Sequence, residues 1–320
     1  MALVLGLGGA LRAPAQEIQR SGENFEVFAL RPNFHVVFGD GANIAVQTGP
    51  DGVVLVDSGS TQMTDRLLAA IKGLTDRPIR YIINTGADAD HVGGNEKVAK
   101  AGQSFTIADL PGPGGDFAAG GATILAYENV LNRMSAPTGK QGAYPSGSWP
   151  TETFFQKQKS LYLNREAIQV MYEPAAHSDS DTIVLFRRSD VIAVGEIIDE
   201  NRFPVIDLEK GGSIQGEIDA LNRIIDLAVP SIPLAWQEGG TFVIPARGRI
   251  LEQADVVEYR DMVTVIRDVI QDMMKSGMTL AQIKEANPTQ GYRRRYGSDS
   301  GPWTTDMFVE AVYKSLTAQK

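Results

Sequence analysis

The chain has 320 residues, enough to bury a large core as one large domain or two modest ones. Its formal net charge is −9 and its pI is about 5.0, which argues against a nucleic-acid surface, because such a surface needs a basic face. There is no cysteine, hence no disulfide and no thiolate metal ligand, and the three histidines, His35, His91 and His177, are too few for a zinc site made mainly of imidazole.

Met1 to Ala10 is apolar and Ala13-Pro14-Ala15 precedes Gln16, the pattern of the end of a secretory signal without its basic n-region. Residues 1–20 are therefore expected to be a truncated signal peptide or a disordered N-terminus, with the protein periplasmic or secreted in the first case. No apolar run reaches the roughly 18 residues needed to span a membrane. Phe25 to Leu30, Phe34 to Phe38, Asn43 to Gln47 and Val53 to Val56 read as strands, the last two joined by the turn Gly49-Pro50-Asp51-Gly52. Leu67, Leu68, Ile71 and Leu74 give Thr64 to Leu74 helical spacing. The strand Ile79 to Ile83 ends in a polar loop that places Asp88, Asp90 and His91 within four residues, before Gly93-Gly94 opens a helix from Asn95 to Ala101. Acids and a histidine at a strand end suit a metal or catalytic site.

Beyond this loop, Ser104 to Ala108 reads as a strand, and Gln141 to Thr151, rich in Gly, Pro and Ser, as a mobile loop or a surface connection. Ser160 to Leu163, Ile168 to Tyr172, Ile183 to Phe186 and Val191 to Val194 read as strands, and Ser213 to Leu227 as an amphipathic helix. Glu258 to Met274, Leu280 to Ala286 and Thr305 to Leu316 read as a helical C-terminal section. The basic run Arg293-Arg294-Arg295 is a solvated loop end or an anion-binding patch. Strands first, then alternating helix and strand, suit one half of an αβ/βα sandwich.

Five segments, in order, resemble the signatures of the metallo-β-lactamase superfamily. Thr85, Asp90, His91, Gly93, Gly94 and Asn95 match the loop Thr-His-x-His-x-Asp-His-x-Gly-Gly-Asn, with Gly86 and Asp88 in place of its first two histidines. Val54-Leu55-Val56-Asp57-Ser58-Gly59 resembles the strand whose aspartate supports that loop from behind. His177-Ser178-Asp179-Ser180-Asp181 resembles His-Thr-Asp-Gly-Asp, Gly195-Glu196 stands for Gly-Asp, and Pro245-Ala246-Arg247-Gly248 for Pro-Gly-His-Gly. Tyr127 replaces a histidine often found near the site. The resemblance implies a four-layer αβ/βα sandwich over residues 21–250, with a helical C-terminal extension over residues 251–320.

It also implies a hydrolase that uses metal-activated water. Carried over residue by residue, the metal ligands are Asp88, Asp90, His91, His177 and Glu196, the catalytic pair is Asp90 and Arg247, and Asp57 and Tyr127 line the cleft. Gly86 offers no donor and Arg247 is a permanent cation without a lone pair, so two complete metal sites are not expected. Two readings follow. In one, a single divalent cation (Zn²⁺, Mn²⁺ or Fe²⁺) serves a divergent hydrolase of a small ester, lactone or amide. In the other, no metal is bound, Arg247 supplies the missing positive charge, and the cleft binds a small-molecule ligand without catalysis.

Overall fold

The computed structural model describes residues 19–20, 25–39, 41–105, 120–137, 142–231 and 239–318. The signal-like stretch and residues 106–108 of the strand expected at Ser104 to Ala108 lie outside them. One sheet carries eight strands in chain order: β1 (Gln19–Arg20), β2 (Glu26–Arg31), β3 (Phe34–Phe38), β4 (Ile44–Gln47), β5 (Val53–Val56), β6 (Ile79–Ile83), β7 (Thr123–Tyr127) and β8 (Glu152–Phe154). It is antiparallel up to β5 and parallel from β5 to β8. All four residues of β5 are buried, as expected of an apolar run covered on both faces. The second sheet runs β13-β12-β11-β10-β9, built from β9 (Gln158–Leu163), β10 (Glu166–Glu173), β11 (Asp181–Phe186), β12 (Val191–Ala193) and β13 (Phe242–Ile244).

Three apolar clusters separate four layers. Between the sheets lie Phe34, Val36, Val54, Ile83, Val170, Val184 and Ile244. On the outer face of the first sheet, α1 (Thr64–Leu74) buries Leu67 and Ile71 and α3 (Asn95–Ala101) buries Val98, against Val46, Leu55 and Ile82. On the outer face of the second sheet, α5 (Ile214–Leu227) buries Ile214, Ile218, Leu221 and Ile224, a stripe at helical spacing. The Ser213 hydroxyl caps it by accepting from Gly216 N at 2.9 Å. The C-terminal helices α6 (Gln253–Lys275), α7 (Leu280–Glu285), α8 (Arg293–Tyr296) and α9 (Thr305–Ala318) share this core through Tyr259, Ile266, Ile283, Tyr296 and Phe308. The αβ/βα sandwich with a helical C-terminal extension is thus the observed fold.

Some local expectations differ. Ser104 and Phe105 join no strand among the described residues, and Arg80 Nη1 donates to the carbonyls of Gln103 and Ser104. The strand β7 and the helix α4 (Glu128–Ser135) were not read from the sequence, and neither was the four-residue helix α2 (Ala89–Val92). Residues 142–151 are held in place rather than free. The Tyr144 hydroxyl donates to Ala87 O at 2.8 Å, Trp149 Nε1 to Tyr144 O at 2.9 Å, and Asn95 Nδ2 to Ser148 O at 3.0 Å. Arg293 and Arg295 are paired with Asp299 and Glu200, so two members of the basic run are neutralised by local carboxylates.

Candidate active site

The site forms where β5, β6, β12 and β13 end on the same side of the sandwich. Asp57, buried and in the left-handed region at φ 64°, is its foundation. Its Oδ1 accepts from Thr85 N at 2.8 Å, and its Oδ2 accepts from Thr85 Oγ1 at 2.6 Å and from His91 Nδ1 at 2.7 Å. Behind it, Ser58 Oγ donates to Asn95 Oδ1 at 2.8 Å and Asn95 Nδ2 to Asn84 Oδ1 at 2.8 Å, which locks the Asp88–Asn95 segment to the strand ends. Gly94 is required for this closeness, since a Cβ there would lie 2.4 Å from Ser58 O. Gly195, at φ 54°, serves Glu196 likewise, its Cβ position being 2.4 Å from Thr85 Oγ1.

On this base stand Asp90, His91, Glu196 and Arg247. The first three bring one donor atom each to within 4.8 Å of one another. His91 Nε2 lies 3.1 Å from Glu196 Oε1. Burial works against a charged ring, but Asp57 and Glu196 on its two nitrogens raise His91 well above its ordinary pKa. Burial pushes the Glu196 carboxyl up, and the bond and charge of His91 bring it below its ordinary value. Arg247 spans the group. Its Nη2 donates to Asp90 Oδ2, and its Nη1 to Glu196 Oε1 at 2.6 Å and to Asp199 Oδ2 at 3.3 Å. Arg202 completes the network, 2.7 Å from Asp199 Oδ2 through Nε.

Asp88 and His177 form a separate group. His177 Nδ1 donates to Val205 O at 2.7 Å, and Nε2 lies 3.2 Å from Asp88 Oδ2. Burial opposes the charged ring, yet Asp88 raises the His177 pKa to about 10. Lys210 Nζ reaches Asp88 Oδ1 and Asp207 Oδ2, both at 3.1 Å. The two histidine loops therefore converge, with Glu196 feeling the charge of both rings. Gly86 leaves room, as a Cβ there would meet nothing closer than Asp181 Oδ1 at 3.8 Å and Asp88 Oδ2 at 3.9 Å. Asp181 is buried and accepts from Ser178 N at 2.6 Å. Burial raises it to about 7 despite His177 and that bond. Tyr127 stacks on Tyr172 with ring centroids 3.7 Å apart, and Tyr172 donates to Asp179 O at 3.1 Å, so this pair braces the outer side of the His177 loop.

This donor set fits one divalent cation. Asp57 accepts from His91 Nδ1, which leaves Nε2 facing Glu196, and a bound cation would take the place of the proton that the raised pKa puts on Nε2. Arg247 takes Oδ2 of Asp90 and Oε1 of Glu196, and each carboxylate has a second oxygen. The set does not fit a second cation, because Gly86 has no donor and both oxygens of Asp88 are engaged by His177 and Lys210. Lys210, Asp199 and Arg202 were not anticipated from sequence. Nor was Glu217 of α5, a fully buried carboxyl with neither oxygen hydrogen-bonded among the described residues. Burial first, and then Asp181, raise it well above its ordinary pKa.

The fold recurs in solved structures. A metallo-beta-lactamase from Pontibacter korlensis is 14% identical with a TM-score of 0.52, over 78% of this chain and 99% of that one. The stereoselective inverting sec-alkylsulfatase Pisa1 from Pseudomonas sp. is 13% identical with a TM-score of 0.60, over 90% of this chain and 49% of its own, so this chain spans about half the length of that enzyme. The DIM-1 metallo-beta-lactamase is 13% identical with a TM-score of 0.50, over 78% of this chain and 98% of that one. At these identities the likeness is one of fold. No curated protein sequence matches the chain. The sequence model of the metallo-beta-lactamase superfamily matches residues 37–232, more than half of the chain and all the signature loops but the last. The chain belongs to the metallo-beta-lactamase superfamily.

Proposed function

We propose that the protein hydrolyses a small ester, lactone or amide and works with one divalent cation held by Asp90, His91 and Glu196. The observation that carries this reading is the convergence of those three donors to within 4.8 Å, with His91 oriented by Asp57. A cation bound there supplies Lewis-acid polarisation of a carbonyl and acidifies a water. The chain's own residues do the rest. Asp57 and Thr85 hold the His91 ring in place. Asp90 accepts a proton from the attacking water, so that a new carbon–oxygen bond forms as the bond to the leaving oxygen or nitrogen breaks, and the leaving group takes up a proton. Arg247 keeps Asp90 and Glu196 apart and offsets their charge, which two neighbouring carboxylates need if both are to stay ionised. His177 and Lys210 gather positive charge around Asp88, which would favour an anion developing on the carbonyl oxygen.

The test is elemental analysis of protein purified without chelator, followed by assay of ester, lactone and amide panels before and after chelation. About one equivalent of a transition metal and chelator-sensitive turnover support the reading. A metal-free protein without turnover returns the cleft to ligand binding alone.

A further inference from the structure

Four hairpin turns meet at the end of the sandwich that faces away from Asp57. They join β2 to β3, β4 to β5, β9 to β10 and β11 to β12, and they enclose a depression of about 790 Å³. β5 starts there and ends at Asp57, and β10 starts there and leads to the His177 loop, so the candidate active site lies at the opposite end. The depression is lined by three arginines, Arg31, Arg165 and Arg188, against one carboxylate, Asp190. Its floor is a bonded network that crosses from one sheet to the other. Glu166, buried in β10, accepts from Arg188 N at 2.7 Å and Ser189 N at 2.5 Å through Oε1, and from Ser189 Oγ at 2.9 Å through Oε2. Gln47 of β4 donates to the same Oε2, and Asn164 Nδ2 donates to Gln47 Oε1 at 3.1 Å. The turns that carry Arg165 and Arg188 are thereby fixed in place. Arg31 is oriented as well, with Nε donating to Ser189 O at 3.3 Å, Nη2 to Gly240 O at 3.2 Å, and its guanidinium 4.5 Å from the centre of the Phe242 ring. Asp190 is already engaged, its Oδ1 accepting from Thr241 Oγ1 at 2.6 Å.

Two features set these arginines apart. Arg133, Arg223, Arg249 and Arg267 each pair with a carboxylate, whereas Arg165 and Arg188 pair with none among the described residues. Arg165 also stands in the left-handed region at φ 62°, directly after Asn164 at φ 54°. A two-residue hairpin turn with both φ positive favours Asn-Gly, because glycine has no Cβ to crowd the backbone. An arginine in the second place gives up stability that glycine would keep, and no contact of its side chain within the described residues offsets the loss. We propose that the depression binds a small molecule that bears phosphate groups. Guanidinium forks suit oxyanions through paired N–H donors. A planar carboxylate fills one fork, whereas a tetrahedral phosphate turns oxygens in several directions, as arginines from three different hairpins require. The space is that of a small-molecule site, since ligand pockets run from about 300 to 1,000 Å³. It stands apart from Asp90, His91 and Glu196, so the proposal is independent of the hydrolase reading.

The experiment titrates the full chain with pyrophosphate by calorimetry at low ionic strength, for the parent, Arg165→Gly and Arg188→Ala, with citrate as the carboxylate control. Pyrophosphate is expected to bind the parent at least about tenfold more tightly than citrate, to weaken about tenfold in each variant, and to weaken in the parent as salt is added. Thermal melting is the second readout. Arg165→Gly restores the residue that the turn favours and is expected to melt at or above the parent while losing pyrophosphate, so its loss of binding is not a loss of fold. Failure of the parent to bind pyrophosphate overturns the proposal. Binding that both variants leave unchanged places the anion elsewhere and overturns it as well. Citrate bound as tightly as pyrophosphate overturns the assignment to phosphate.

Discussion

Arg247→Ala removes a guanidinium that three carboxylates share. Its side chain is 24% exposed, while Glu196 and Asp199 are 8% and 2% exposed. Taking one partner from a buried ion pair costs about 3–5 kcal/mol. The surroundings soften that loss here, because Glu196 keeps His91 at 3.1 Å, Asp199 keeps Arg202 at 2.7 Å, and Asp90, 28% exposed, can hydrate. The expected destabilisation is therefore about 2–3 kcal/mol. In a chain of this size 1 kcal/mol moves Tm by roughly 2–4 °C, so the melting point of the chelator-treated protein should drop by about 5–10 °C. Arg247→Lys keeps the charge without the fork and should fall between. Arg247→His should melt higher with added Zn²⁺ than without, because it adds a donor beside Asp90. The assay is thermal melting of all three variants against the parent, with chelator and with Zn²⁺. Melting of Arg247→Ala within about 1 °C of the parent would refute the argument, since the guanidinium would then contribute no more than a solvated surface charge.

The metal content should be one equivalent per chain, and Gly86→His together with Lys210→Met should raise it towards two; inductively coupled plasma analysis decides. Hydrolysis of β-lactams with added Zn²⁺ should stay below about 1 per second, the low end of ordinary enzymatic turnover, in a steady-state assay. Burial raises the Glu173 carboxyl from 4.5 to about 7, against the pull of Arg223. A raised carboxylate contributes stability that is fully present below its unfolded value and is lost as pH rises through about 7. Glu173→Gln should therefore gain on the parent between pH 5 and 8, by up to roughly 3 kcal/mol. Urea unfolding at both pH values checks this, and an equal difference at both would rule it out.

The sandwich was legible because its strands are apolar runs that end in short, punctuated loops. Asp57, Asp90, His91, Glu196 and Arg247 were placed by the resemblance of their loops to the superfamily's signatures, each loop following an apolar run. Lys210 could not, because it comes from a turn 122 positions from Asp88, and only the packing of the Asp207 loop under His177 brings the two together. The strand β7 escaped notice because five residues covered on both faces show no alternation. Between the two readings of Gln141 to Thr151, a mobile loop or a surface connection, composition could not decide, and the bonds of Tyr144 and Trp149 favour the second for residues 142–151. Glu217 lies on the buried stripe of α5 with Ile214, Ile218 and Leu221, and a carboxylate in a helical stripe gives no sign from sequence that it is buried.

Gly86 and Gly94 lie in the same loop and face opposite constraints. Backbone oxygen excludes any side chain at position 94, whereas position 86 opens onto a space edged by two carboxylates. Folding therefore demands glycine at position 94 and leaves room for a Cβ at position 86. A Cβ at position 86 fits without a clash, and a donor introduced there would stand near Asp181 and Asp88. Position 86 is therefore where a further donor could be built in without the backbone giving way.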